Sequence, residues 1–302
     1  MDHIRISASP QLRNPVLIVA FAGWNDASEV ATFSGRYLVD QWRSRKMADI
    51  DPEEFYVFTE TRPYMRIMGR FQRRVEWPGN DFYFHVNRYG KRDVIVMIGV
   101  EPQLKWRTFA DAVVGFCQAH DVHMVVTLGG FVADIPHTRP VQLSGTASPA
   151  WLARRLRSLG VEATRYEGST GIIGVLSSAC ARKRLQVASI WGTVPEYLSA
   201  SPNPKVTLAM LETLSEMLDL DIDLTDLRRM ETQFAEQVEA VLEGNPELRE
   251  YVQQLEEQAR AERLESDEAL PGREPLPSGE ELIRELEEYL RRRRGQAGGQ
   301  PS

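Results

Sequence analysis

The chain has 302 residues, of which 42% are hydrophobic and 26% charged, enough apolar material for a sizeable core and too much for global disorder. No apolar run approaches the roughly 18–20 residues of a membrane span, and the N-terminus lacks the basic stretch and long apolar core of a secretory signal. The two cysteines, Cys117 and Cys180, supply neither a disulfide framework nor a metal cage, so a reducing cytoplasm is the simplest expected location.

The net charge of −7 is unevenly placed. Residues 1–210 carry 25 Lys and Arg against 19 Asp and Glu, whereas residues 211–302 carry 11 against 24. The acidic C-terminal third opposes binding to nucleic acid or an anionic membrane, and solvated helix faces account for its charge.

In chain order, Val16–Ala22 is a continuous β-branched apolar run after Pro15 that stops at Gly23, the pattern of a strand buried on both faces. A helix is expected from Ser28 or Glu29 towards Trp42, with Val30, Phe33, Tyr37 and Leu38 at helical spacing. Residues 43–92 carry short strand signals at Phe55–Thr59 and Phe82–Val86, with turns at Pro63 and at Pro78-Gly79-Asn80. Asp93–Gly99 is a second buried strand, and Trp106–Ala119 is a helix that buries Phe109, Val113, Val114 and Phe116. Val122–Leu128 is a third strand, expected to close at Gly129-Gly130. Helices follow at Pro149–Leu159 and Gly171–Arg184, then a strand at Leu185–Trp191 closed by Gly192, and a helix at Val206–Leu218. Such alternation, with strands apolar throughout, predicts a mostly parallel sheet covered by helices on both faces.

The character changes near residue 220. An amphipathic helix is predicted over Leu224–Leu242, and Gly244-Asn245-Pro246 breaks the chain before another that carries Leu248, Tyr251, Val252 and Leu255. Residues 266–279 hold three prolines and read as a linker, and a last amphipathic helix is expected near Glu280–Arg294. The expected organisation is an α/β core over 1–222, a helical extension packed on it over 223–265, a linker over 266–279, and a terminal helix with a disordered tail over 280–302.

Familiar catalytic motifs are absent. There is no G-x-x-x-x-G-K-[ST] and no G-x-G-x-x-G, no G-x-S-x-G and no H-E-x-x-H. No cofactor or metal is expected. His120 and His123 straddle a helix end and a strand start, and each cysteine reads as a small buried hydrophobe. Gly168-Ser169-Thr170-Gly171 opens a helix, so its N–H groups can hold an anion or simply make a tight turn. What remains is a set of polar and aromatic residues after the strands. Trp24-Asn25-Asp26 follows the first and Glu101 and Trp106 follow the second. Asp134, His137 and Arg139 follow the third, and Tyr197 follows a fourth. That edge is where open parallel sheets bind ligands. Equally, these loops can cap the sheet and build a subunit interface, since interfaces favour aromatics and Arg.

Five segments, AFAGWNDAS (20–28), GVEPQLKW (99–106), LGGFVADIPHTRP (128–140), YEGSTGIIGVL (166–176) and WGTVPEYLSASPNP (191–204), resemble the proteasome assembly chaperone family. The similarity is to its actinobacterial and archaeal branch, the single-chain relatives of eukaryotic proteasome assembly chaperone 2, and it extends over about residues 14–255. The resemblance implies a three-layer α/β fold related to phosphorylase and peptidyl-hydrolase architectures, a C-terminal helical addition, and a homo-oligomer, with a trimer as one candidate. It also implies a non-enzymatic role in binding proteasome subunits or another protein. Some members dock through a C-terminal hydrophobic-Tyr-X tail. This chain ends Gln300-Pro301-Ser302, and its nearest equivalent, Tyr289, lies thirteen residues earlier in an expected helix, so tail docking is not implied. Two readings result: an oligomeric scaffold that binds proteins, or a binder or enzyme for a small, nucleoside- or phosphate-like ligand at the strand ends. The first is preferred because no spacing supports a particular reaction.

Overall fold

The computed structural model describes residues 3–199 and 202–268, with 262–268 as backbone alone. The last helix expected from the sequence lies outside the described residues. The strands are β1 Ile4–Ile6, β2 Val16–Ala22, β3 Arg45–Ile50, β4 Tyr64–Ile67, β5 Arg73–Glu76, β6 Asn80–His85, β7 Val94–Val100, β8 Met124–Ala133, β9 Leu143–Ser148, β10 Glu162–Ala163 and β11 Gln186–Pro195. The helices are α1 Val30–Gln41, α2 Trp106–Ala119, α3 Ala150–Ser158, α4 Ile172–Arg182, α5 Pro204–Leu218, α6 Thr225–Gly244 and α7 Pro246–Glu268. The described residues divide between two units, one ending at Val252 and the other beginning at Gln253. In the second, the described residues 253–268 are helical.

Nine strands form one mixed sheet in the order β1-β3-β6-β7-β2-β8-β11-β9-β10. Its centre, β7-β2-β8-β11, is parallel throughout. On one side β6, β3 and β1 continue antiparallel, and on the other β9 runs antiparallel to β11. The parallel centre is the part that reads as continuous apolar runs, because helices cover both its faces. Strand periodicity divides these runs between two cores. Val16, Ile18 and Ala20 of β2 join Val94, Val96, Val126 and Leu128 beneath α1, α3 and α5. Leu17, Val19 and Phe21 join Ile95, Met97 and Val125 beneath α2 and α4. The result is the expected three-layer α/β sandwich.

Helix α6 adds Leu227 to the first core. Farther along it, Val238 and Leu242 meet Val252, with Tyr197, Leu198, Phe234 and Leu248 packed against them. Asn203 and Asn245 cap the helices that follow them, accepting from Val206 N and Leu248 N at 3.1 Å each, and both next helices begin with proline. Helix α7 continues to Glu268, three residues into the stretch read as a linker.

Two expectations need correction, and one element is new. Gly129-Gly130 and Gly192 do not end their strands; β8 and β11 run on in register to Ala133 and Pro195. The glycines serve close approach. A Cβ on Gly129 would sit 2.6 Å from the Trp191 ring, and one on Gly192 would sit 2.3 Å from Val206 Cγ1. Phe55–Thr59 is not a strand. Phe55 is fully buried against Phe109, and its backbone is a turn closed by Phe55 N to Pro52 O at 3.0 Å, so its apolar signal came from core packing. Finally, residues 64–76 form a separate two-stranded hairpin that the sequence did not announce.

Candidate functional site

The loops after the parallel strands gather at their C-terminal ends, as the alternating pattern requires. The structure sorts the twelve singled-out residues into two groups held by different elements, with several standing apart.

The first group is built on the loops after β2 and β7. Asn25 is 1% exposed, and its Nδ2 donates to Glu101 Oε1 at 3.0 Å. The same Glu101 oxygen accepts from Ile172 N at 2.8 Å. A carboxylate thus sits on the first N–H of α4, where the free amides and the helix dipole favour negative charge. The glycine-rich segment before α4 accordingly receives its anion from within the chain, from a residue 71 positions earlier. Gly171 is required there, since a Cβ would lie 2.6 Å from Glu101 Oε1 and 2.7 Å from Asn25 Oδ1. Gly23 turns the chain out of β2 with φ of 129°, a conformation disfavoured for residues with a side chain. Asn25 O then accepts from Gly130 N at 2.8 Å, which ties the loop to β8.

Asp26 has an equally structural position. Its Oδ1 accepts from Ala31 N at 2.8 Å and Thr32 N at 3.1 Å, and its Oδ2 accepts from Thr32 Oγ1 at 2.5 Å. It caps α1 from outside the helix. Burial raises its pKa above the ordinary carboxylate value, more than these hydrogen bonds lower it.

The second group lies where the β8–β9 loop meets α5, α6 and the start of α7. His137 N and Nδ1 both lie 2.7 Å from Tyr197 Oη. His137 Nε2 is 3.5 Å from Glu239 of α6, an ion pair when the imidazole is protonated. Lys205 Nζ donates to the carbonyls of His137 and Arg139. Tyr251 Oη donates to Asp134 Oδ1 at 3.3 Å, and the Tyr197 and Tyr251 rings meet edge to face at 6.1 Å. His137 and Arg139 line a cavity of ≈60 Å³ with Thr193, Lys205, Phe234 and Val238. Pockets for nucleoside-sized ligands measure about 300–1,000 Å³, so this one admits no more than a few waters or a small ion.

The remaining residues stand apart. Trp24 is 64% exposed. Trp106 opens α2, and its indole donates to Pro102 O. Gly168 and Thr170 are exposed beside Tyr166 and Gly171. Among the described residues, no three His, Cys, Asp or Glu gather as a metal site. The sequence did not reveal the partners of these groups: Ile172 N for Glu101, Thr32 for Asp26, and Lys205 and Glu239 for His137. All but Thr32 are far away in the chain, so only a tertiary contact identifies them.

At this strand edge the solvent-facing side chains include several large apolar ones, Trp24, Leu104, Phe131 and Val132. Among the described residues, no helix is long and apolar enough to cross a membrane.

Comparison with known proteins places this architecture. No curated protein matches the sequence significantly. A PAC2 family protein from Streptomyces avermitilis is 36% identical, with a TM-score of 0.72, over 79% of this chain and 99% of that one. A proteasome-assembly chaperone homologue from Mycobacterium tuberculosis is 37% identical, with a TM-score of 0.71, over 78% and 99%. The fold is shared at 19% identity with PbaB from Pyrococcus furiosus, an archaeal proteasome activator, at a TM-score of 0.64 over 80% and 99%. The profile of the PAC2 family matches residues 20–242, and with relatives this similar across most of its length the chain belongs to the PAC2 family.

Proposed function

We propose that this protein is a non-enzymatic, proteasome-assembly-chaperone-like scaffold that acts in the cytoplasm as a homo-oligomer and binds a proteasome-related protein. One observation carries the reading. Two of the carboxylates at the sheet's C-terminal edge, which a catalyst would need free, are engaged in capping helices: Glu101 on α4 and Asp26 on α1. The same edge meanwhile presents Trp24, Leu104, Phe131 and Val132 to solvent. Exposed large apolar side chains clustered at one edge mark protein interaction sites. The edge therefore reads as a docking face, with the α/β core of residues 1–222 as its support. The relatives supply the kind of partner, since one is a proteasome-assembly chaperone homologue and another a proteasome activator.

The test is native mass spectrometry of the full chain, alone and mixed with proteasome α-subunits of its own organism. The expected result is a homo-oligomer that captures α-subunits in a fixed ratio, and that loses capture when Trp24 and Phe131 are replaced by Asp. A chain that stays at 34.3 kDa, or an oligomer that ignores the α-subunits, overturns the proposal.

A further inference from the structure

We propose that the β4–β5 hairpin is an arm that packs on a second copy of this chain, laying its apolar face along helix α6 of the neighbour. This rests on the oligomeric reading above and names the surface that builds the oligomer. The hairpin register pairs Tyr64 with Glu76, Met65 with Val75, Arg66 with Arg74 and Ile67 with Arg73. Alternation then puts Met65, Ile67 and Val75 on one face beside Arg73, with Trp77 continuing it. The four apolar side chains are 51, 76, 41 and 55% exposed in that order. The opposite face needs no cover: Arg66 bonds Glu76 at 2.6 Å and lies over the Tyr64 ring.

A two-stranded ribbon is marginally stable alone and needs packing on one face. This one is nevertheless firmly rooted. Trp77 meets Phe58 edge to face at 4.8 Å. The Gln103 amide accepts from Val57 N and donates to Thr61 Oγ1, both at 2.7 Å. Such a root is that of a projecting arm. Met65, Ile67, Met68, Phe71, Val75 and Trp77 together expose on the order of 750 Å², taking ~200 Å² for each fully exposed large side chain. A specific interface buries about 800 Å² on each partner, so one arm carries nearly a full share.

Charge selects the partner surface. Residues 60–77 hold five Arg and two Glu, whereas α6, residues 225–244, holds five Asp or Glu and two Arg. On α6, Met230 and Val241 are exposed and eleven residues apart, hence on one side of the helix. An apolar seam on an acidic helix thus matches an apolar face on a basic ribbon. Every copy carries both surfaces, and reciprocal use of them closes a symmetric assembly.

The experiment uses the full chain in two isotopic forms, mixed and re-equilibrated. Ile67→Cys is labelled with a maleimide photo-cross-linker; Cys117 and Cys180 are buried and do not compete. The expected cross-links join light to heavy chains and fall on α6, within residues 225–244. In parallel, Ile67→Asp, which touches no core cluster, should lower the native mass from that of the oligomer to 34.3 kDa without changing the circular dichroism spectrum. Cross-links confined to one chain, or landing elsewhere, overturn the arm. So does an Ile67→Asp oligomer of wild-type mass, which leaves the oligomeric reading standing. A monomeric wild type overturns both.

Discussion

Replacing Glu101 separates a structural carboxylate from a reactive one. In the Glu101→Ala variant two donors lose their acceptor at once, Ile172 N at 2.8 Å and Asn25 Nδ2 at 3.0 Å. Asn25 is 1% exposed and Ile172 fully buried, so both donors lose their acceptor in a largely desolvated place. A hydrogen bond to a charged group contributes about 1.5–3 kcal/mol, and a stranded buried donor costs about 1–3 kcal/mol. Loss of negative charge at the start of α4 adds about 0.3–1 kcal/mol. These effects overlap, and the expected destabilisation is about 3 kcal/mol. Glu101→Gln keeps an oxygen acceptor and loses only the charge, so about 1 kcal/mol is expected. In a double-mutant cycle, Asn25→Ala should cost about 1–2 kcal/mol less in the Glu101→Ala background than alone, because the two share one bond. The assay is urea unfolding followed by circular dichroism, extrapolated linearly, at one fixed protein concentration because association shifts apparent stability. A Glu101→Ala protein within about 0.5 kcal/mol of wild type, or strict additivity with Asn25→Ala, refutes the reasoning. It would also return Glu101 to the pool of groups available for chemistry.

Two further outcomes follow from buried groups. Burial raises the pKa of Asp26 above 3.8 despite the N–H groups of Ala31 and Thr32. The native state therefore holds this proton to higher pH than the unfolded state does. The associated stability is fully present below the unfolded value and is lost as pH rises from about 3.8 through the raised native value. Stability of wild type relative to Asp26→Asn should accordingly increase as pH falls through that window; a flat difference, or one of opposite slope, would sink the assignment. Second, burial pushes the thiol of Cys180 up to about 12 and that of Cys117 higher still, so neither forms the reactive thiolate at neutral pH. Iodoacetamide at pH 8 should leave both unmodified in the native protein by intact mass and label both in urea, and rapid native labelling of either would contradict their burial.

Much of the fold was legible because the determining forces are local in sequence. Val16–Ala22 and Trp106–Ala119 appear with the boundaries their apolar patterns predict, since strand and helix periods write burial directly into residue order. Where local reading failed, the cause was distant. Gly129 and Gly192 look like strand ends, but a Trp191 ring and a Val206 methyl approach them. The β4–β5 hairpin carries alternation broken by arginines, and its apolar face has no covering layer within the described chain to strengthen the pattern.

The candidate residues divide along the same line. The sequence by itself determined that Asn25, Asp26, Glu101, His137 and Arg139 would follow strand ends, because strand direction and alternation put every such loop on one edge. Only the tertiary structure decided what they do there. Glu101 meets α4 because β7 lies beside β2 and α4 packs against α2 on that face, a consequence of strand order that no local pattern encodes. Hydrogen-bond partners 71 positions apart are chosen by the sheet's topology, and the topology is set by which apolar faces can be buried together.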